Sequence, residues 1–288
     1  MPKGFLRSCL LLVLVIPYAM ADTGDDSLDV ATLLAASDAS PFDEPLHLES
    51  EEGEQEVRGR VVAILEVPLP ALREVLATPR AWCEILFLHY NIKSCVYREQ
   101  GEDAELSLSV GRKHYQDPEV ARQTRLVFQV EEQREGRLAI ALQADRGPLG
   151  MRAFQLRMLA VPLDEQRSLV RLEYSVGYGR LARFAMRVYF ATGGRDRVGF
   201  TVEGVDEDGT PIPVRGLRGM IERNTLRFYY ALSAYLRMPA PEQWTARHVH
   251  WFELTERYPR QLREMDQDTY MAQKRREWRN QTALQAEF

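Results

Sequence analysis

The sequence predicts an α+β fold: a curved antiparallel sheet wrapped around one long C-terminal helix, with an additional α-helical tail. Three observations carry this. Between Gln123 and Glu203 apolar residues recur at every second position, as in Leu126, Phe128 and Val130, Leu138, Ile140 and Leu142, or Phe154, Leu156 and Met158. The pattern continues through Val170, Leu172, Tyr174 and Val176 to Val198, Phe200 and Val202. Period two puts one face of each strand on a core and the other in solvent. From about Val214 to Leu236 the period becomes helical, with Leu217, Met220, Ile221, Phe228, Leu232 and Tyr235 on one face,. This helix is the only long cover that directly follows the sheet.

Taken from the start, Lys3 and Arg7 precede a short apolar run, Leu10 to Ile16, and Ala19-Met20-Ala21 offers the small residues a signal peptidase reads,. Residues 1–21 are therefore expected to be a signal peptide, cleaved after Ala21, and the protein to be periplasmic. Residues 22–55 hold 11 of the 42 acidic residues and no Lys or Arg, which predicts an acidic disordered arm with at most a short turn at Leu28–Leu34,. The arm is read as a solvated tether or as a flap over a basic pocket mouth. The 233 residues that follow carry 35 basic and 31 acidic groups. That is enough chain for one domain with a substantial core plus an appendage.

Next, Val57 to Val67 reads as a strand. Pro68-Leu69-Pro70 opens a short helix through Leu76, and Thr78-Pro79 opens another through Leu86,. Strands resume at Asn91–Tyr97 and Leu106–Tyr115. With the signal removed, Cys83 and Cys95 remain as an even pair; export favours one structural disulfide, with two buried thiols as the plain alternative,. Met238-Pro239-Ala240-Pro241 ends the long helix. Residues 238–288 then form a helical extension, Glu242 to Arg257 and Asp266 to Ala283, packing through Trp244, Val249, Phe252, Tyr270 and Trp278.

This order of strand, two short helices, six or seven antiparallel strands and long helix resembles the helix-grip fold of the START and polyketide-cyclase-like superfamily, also called SRPBCC, over about residues 56–237. Two departures stand out, the interrupting segment Tyr178–Thr192 and the helical tail. The resemblance implies a cavity between sheet and helix that holds a lipid or other hydrophobic small molecule; a solid core is the alternative.

Polar residues on apolar faces are the site candidates, because burying them unpaired is costly. They are Arg112 and His114, continuing the face of Leu106, Leu108 and Val110; Arg152, two before Phe154; Tyr174 and Tyr178; and Asn224, one turn before Phe228 on the helix. Arg112 and Arg152 suit a carboxylate or phosphate. His89, Asn91 and Lys93 alternate, which reads as a wet strand face. In Arg180–Thr192, Arg180, Arg183 and Arg187 share one side and Leu181, Ala185, Val188 and Tyr189 the other, with no acid in the run. Such a segment serves as a peripheral membrane contact, a lid or a plain surface helix.

His248 and His250 lie two apart in a helix and so do not share a face for a metal. There is no GxSxG, GxxxxGK, HExxH or Rossmann glycine pattern,. No cofactor or metal is called for. Nucleic acid is not an expected partner for a chain of pI about 5.7 without a basic stripe,. The leading expectation is a periplasmic binding or transfer protein for a lipid or other hydrophobe. A cyclase- or aromatase-like enzyme using the same cavity is one alternative. An envelope assembly factor, with the tail as docking surface for a protein partner, is the other.

Overall fold

The alternating segments assemble into one antiparallel sheet. Its strands are β1 (Leu46–Glu52), β2 (Glu56–Leu65), β3 (Ile92–Gln100), β4 (Asp103–Val110), β5 (Arg122–Arg134), β6 (Arg137–Arg146), β7 (Met151–Pro162) and β8 (Ser168–Tyr178). Their spatial order is β1-β2-β8-β7-β6-β5-β4-β3. The structure, a computed structural model, describes residues 41–100, 103–134, 136–147 and 151–288. The expected signal peptide, residues 22–40 of the arm with its Leu28–Leu34 turn, and Pro148 to Gly150 lie outside the described residues.

Between β2 and β3 stand α1 (Leu69–Leu76) and α2 (Pro79–Phe87). Proline in the first turn starts each, and the Thr78 side chain caps α2 by accepting from the Ala81 amide,. Cys83 of α2 and Cys95 of β3 form a disulfide, fixing the helix to the sheet edge.

After β8 come α3 (Arg180–Ala191), a separate hairpin of β9 (Val202–Val205) and β10 (Pro211–Pro213), and the gripping helix α4 (Gly216–Arg237). Helix α4 comes close to β2 at Gly59, where an added Cβ would come within 2.3 Å of the Thr225 hydroxyl. Glycine is what permits that approach. This is the helix-grip fold. The tail consists of α5 (Trp244–Glu256) and α6 (Pro259–Leu262), which cover the other side of α4, and α7 (Gln267–Glu287), which packs along β3. Trp251, fully buried, donates to the Arg227 carbonyl at 3.1 Å and packs on Tyr90 and Tyr270. Helix α4 is therefore buried on both sides, which accounts for the burial of Glu222, Arg223, Thr225 and Arg227 along with its apolar face.

Three expectations change. The acidic arm is not disordered to residue 55, since Leu46 and Leu48 point into the core from β1 while Glu49 pairs with Arg60 at 2.6 Å. Alternation within a charged stretch was hidden by its average composition. Val198–Phe200 is buried but is not a sheet strand. Glu222 of α4 accepts from the Phe200 and Thr201 amides at 2.6 and 3.0 Å, and Arg223 donates to the Val198 carbonyl at 2.9 Å. Helix side chains thus satisfy backbone groups that a neighbouring strand would otherwise bond. Strand β4 stops at Val110, where the Gly111 amide donates to the Asn91 carbonyl and the Asn91 side-chain amide to the Gly111 carbonyl, turning the chain away.

The tail docks through charge as well as rings. Glu277 of α7 sits between Lys93 of β3 at 2.8 Å and Lys274 at 2.9 Å, all three buried. Lys274 also donates to the carbonyls of His89 and Ile92. One and two turns on, Gln281 accepts from the Cys95 amide, and Gln285 brackets both the amide and the carbonyl of Tyr97 at 2.9 Å. These glutamines occupy edge groups of β3 that would otherwise invite another strand. Trp278, expected to pack, is 46% exposed.

Candidate ligand cavity

Between the concave face of the sheet and α4 lies a cavity of about 550 Å³. Leu108, Val110 and Leu126 line it from the strands, Leu86 from α2 and Ile92 from the start of β3. An aromatic wall runs Phe154, Tyr174, Phe228, His89, with successive ring centroids 5.3, 5.2 and 5.1 Å apart. Asn224 and Phe228, four residues apart on α4, face it together,.

His89 is the most informative polar group. It follows α2 in a turn, and its Nδ1 accepts from the Asn91 amide at 3.2 Å. A ring nitrogen that accepts carries no proton, so in the neutral ring the proton is on Nε2. Burial first, then the positive charges of Arg227, Lys274 and Lys113, hold the ring well below its usual pKa and hence neutral,. Asn224 acts against that shift but makes no hydrogen bond of full geometry with Nε2, which is buried without a partner. His89 itself is 5% exposed and lines the cavity. An unpaired donor in such a place is expensive unless something accepts from it. The Thr124 hydroxyl, buried on β5 and also lining the cavity, is unpartnered too.

Behind Asn224 lies a charge cluster built on the buried side chains of Glu264 and Arg227. Glu264 pairs with Lys113 at 2.5 Å and with Arg197 and Arg227 at 2.6 Å each. Arg227 in turn reaches Asn224 Oδ1 at 3.4 Å. Burial brings Lys113 down to about 8 and Arg223 to about 10, Glu264 opposing both shifts. One carboxylate among these cations leaves the α4 side of the cavity electropositive, so it favours an oxygen acceptor on a ligand.

The cavity opens at the β4–β5 loop, where Arg112, Val120 and Arg122 are exposed. Neither guanidinium forms an ion pair among the described residues. Gln116 braces the loop by accepting from the Arg112 amide and donating to the Val120 carbonyl. Among the described residues no group of three or more His, Cys, Asp or Glu is placed to hold a metal ion.

Of the expected site residues, Arg112, Tyr174, Asn224 and Phe228 line this cavity. Three do not. His114 is exposed in the β4–β5 loop, because β4 ends four residues earlier. Arg152 is exposed and donates to Gln55 at 2.8 Å. A bulge between Arg152 and Gln155, with Ala153 at φ 47°, puts it out of phase with Phe154,. Tyr178 is fully buried, but its hydroxyl lies 3.0 and 3.1 Å from the carbonyls of Gly53 and Glu56, latching the β1–β2 turn.

On α3 the expected sides are rearranged. Ala182, Met186 and Phe190 pack inward, Arg180 and Arg187 are exposed, and Arg183 turns back to Glu52 and the Glu54 carbonyl. His89, Thr124 and Arg122 complete the site. Thr124 was signalled by its place two before Leu126, and His89 by its alternation with Asn91, although not as a wet face.

No known protein-family profile and no curated protein sequence matches the chain. Solved structures with a similar overall form do exist. A STAR-related lipid transfer protein fragment from Xanthomonas axonopodis is 13% identical, with a TM-score of 0.42, over 67% of this chain and 94% of that one. The Zhui aromatase/cyclase from Streptomyces sp. R1128 is 12% identical, with a TM-score of 0.36, over 68% of this chain and 96% of that one. Norcoclaurine synthase from Thalictrum flavum, with dopamine and hydroxybenzaldehyde, is 11% identical, with a TM-score of 0.34, over 51% of this chain and 87% of that one.

Proposed function

We propose that the protein binds one small hydrophobic molecule or lipid in the cavity and carries or presents it in the periplasm. The observation that carries this reading is the pair of buried, unpartnered polar groups, His89 Nε2–H and the Thr124 hydroxyl, set among the apolar and aromatic residues of the cavity wall. A ligand oxygen accepting from His89 relieves a cost that the protein alone does not meet. A cavity of about 550 Å³ is in the range that encloses a drug-sized molecule,. The apolar body lies against Leu108, Val110, Leu126 and Phe228, a carbonyl or hydroxyl oxygen meets His89 and Thr124, and a polar or anionic end lies at Arg112 and Arg122. The signal-like N-terminus and the Cys83–Cys95 disulfide support an exported setting,.

Native mass spectrometry of the protein purified from its own host's envelope tests the reading. The expected result is an adduct of one small apolar molecule that dissociates on unfolding. Bare protein mass under gentle ionisation, from several growth conditions, overturns it.

A further inference from the structure

Helix α3 wears its apolar side chains on the outside. Its inner line, Ala182, Met186 and Phe190, packs on the core at spacings of four,. The outer line is Leu181, Phe184 and Val188, which are 82, 65 and 48% exposed. At positions i, i+3 and i+7 these three form one ridge. A helix that only packs on its own body places polar residues there.

Arg180 and Arg187, four before and three after Phe184, flank the same ridge and are exposed,. No acidic residue occurs in the helix. The ridge is convex, so it suits a deformable apolar phase, and its cations select a negatively charged one. Its position matters as well: β8 ends at Tyr178, which pairs with Met151 of the cavity wall, and α3 begins two residues later.

We propose that α3 docks the protein on an anionic lipid surface, with Leu181, Phe184 and Val188 entering the interface and Arg180 and Arg187 pairing with phosphate-bearing headgroups. Docking brings the Met151 side of the cavity to the bilayer.

The test uses the full chain carrying F184W and vesicles of phosphatidylglycerol with phosphatidylethanolamine, against vesicles of phosphatidylcholine. The indole emission is expected to shift to the blue, and to be quenched by brominated acyl chains, with the anionic vesicles only. Adding R180Q and R187Q should lower partitioning roughly 30-fold at low salt, the equivalent of about 2 kcal/mol at about 1 kcal/mol per charge, with an unchanged melt. Adding L181N and V188N should lower it at every salt concentration. Unchanged emission with anionic vesicles at low ionic strength overturns the proposal. So does vesicle binding that survives all of these substitutions. A concentration-dependent dimer in light scattering, abolished by L181N and V188N, would assign the ridge to a second copy of the chain instead and equally overturn it.

Discussion

A buried histidine with one nitrogen satisfied and the other not is a small detail with a directional consequence. Because the Asn91 amide occupies Nδ1, the ring offers a donor, so the ligand atom it meets is an acceptor,. Replacing His89 by Phe keeps the stacking on Phe228 but removes the donor. Retention of the bound molecule should fall by about 1–3 kcal/mol, roughly 5- to 150-fold. His89→Gln should restore part of it, as read by native mass spectrometry of the two variants.

The same burial makes stability depend on pH. His89 and His248 both have folded pKa values held well below the usual value, chiefly by desolvation. At pH 7.5 both are neutral whether the chain is folded or not. Below about 6.5 the unfolded chain takes up protons that the folded one refuses, so stability falls as pH drops, by up to about 1.4 kcal/mol per pH unit for each ring. Urea unfolding at pH 7.5 and 5.5 should show the loss, and a His89→Phe, His248→Phe pair should flatten it. A wild-type stability that is level across that window contradicts these assignments.

At the level of elements, the tail is held by a buried ionic triad as well as by its rings. Glu277→Gln leaves Lys93 and Lys274 buried without their carboxylate and is expected to cost about 3–5 kcal/mol in chemical unfolding. Trp278→Ala, at a half-exposed ring, should cost less. Helix α4 and the sheet strands were legible in the sequence because each has one dominant period, which is how Asn224 and Phe228 were placed together. The misplacements fall where a local device breaks the period. A bulge at Ala153 swings Arg152 outward, the Asn91–Gly111 bonds end β4 before His114, and Leu46 and Leu48 alternate inside a run of acids. The ionic part of the tail's docking was not foreseen, because Lys93, Lys274 and Glu277 look like surface residues one at a time. Only the fold brings them together.

For the whole molecule, α4 is enclosed by the sheet on one side and by α5 and α6 on the other, and the cavity is the part of the first interface that side chains do not fill. The Cys83–Cys95 bridge and the Lys93–Glu277 pair both fasten β3, the strand next to β4 of the cavity wall. The rigid frame therefore surrounds a site whose opening is a loop, Gly111–Ala121, held by Gln116. The most direct test of the cavity is the binding of a fluorescent apolar anion, 8-anilinonaphthalene-1-sulfonate, to the wild type and to Val110→Trp, which places an indole inside the cavity. An open ligand cavity predicts saturable one-to-one binding with strongly enhanced emission for the wild type, and its loss in Val110→Trp while a cooperative melt is kept. Failure of the wild type to bind saturably, or equal binding by a folded Val110→Trp, would contradict it.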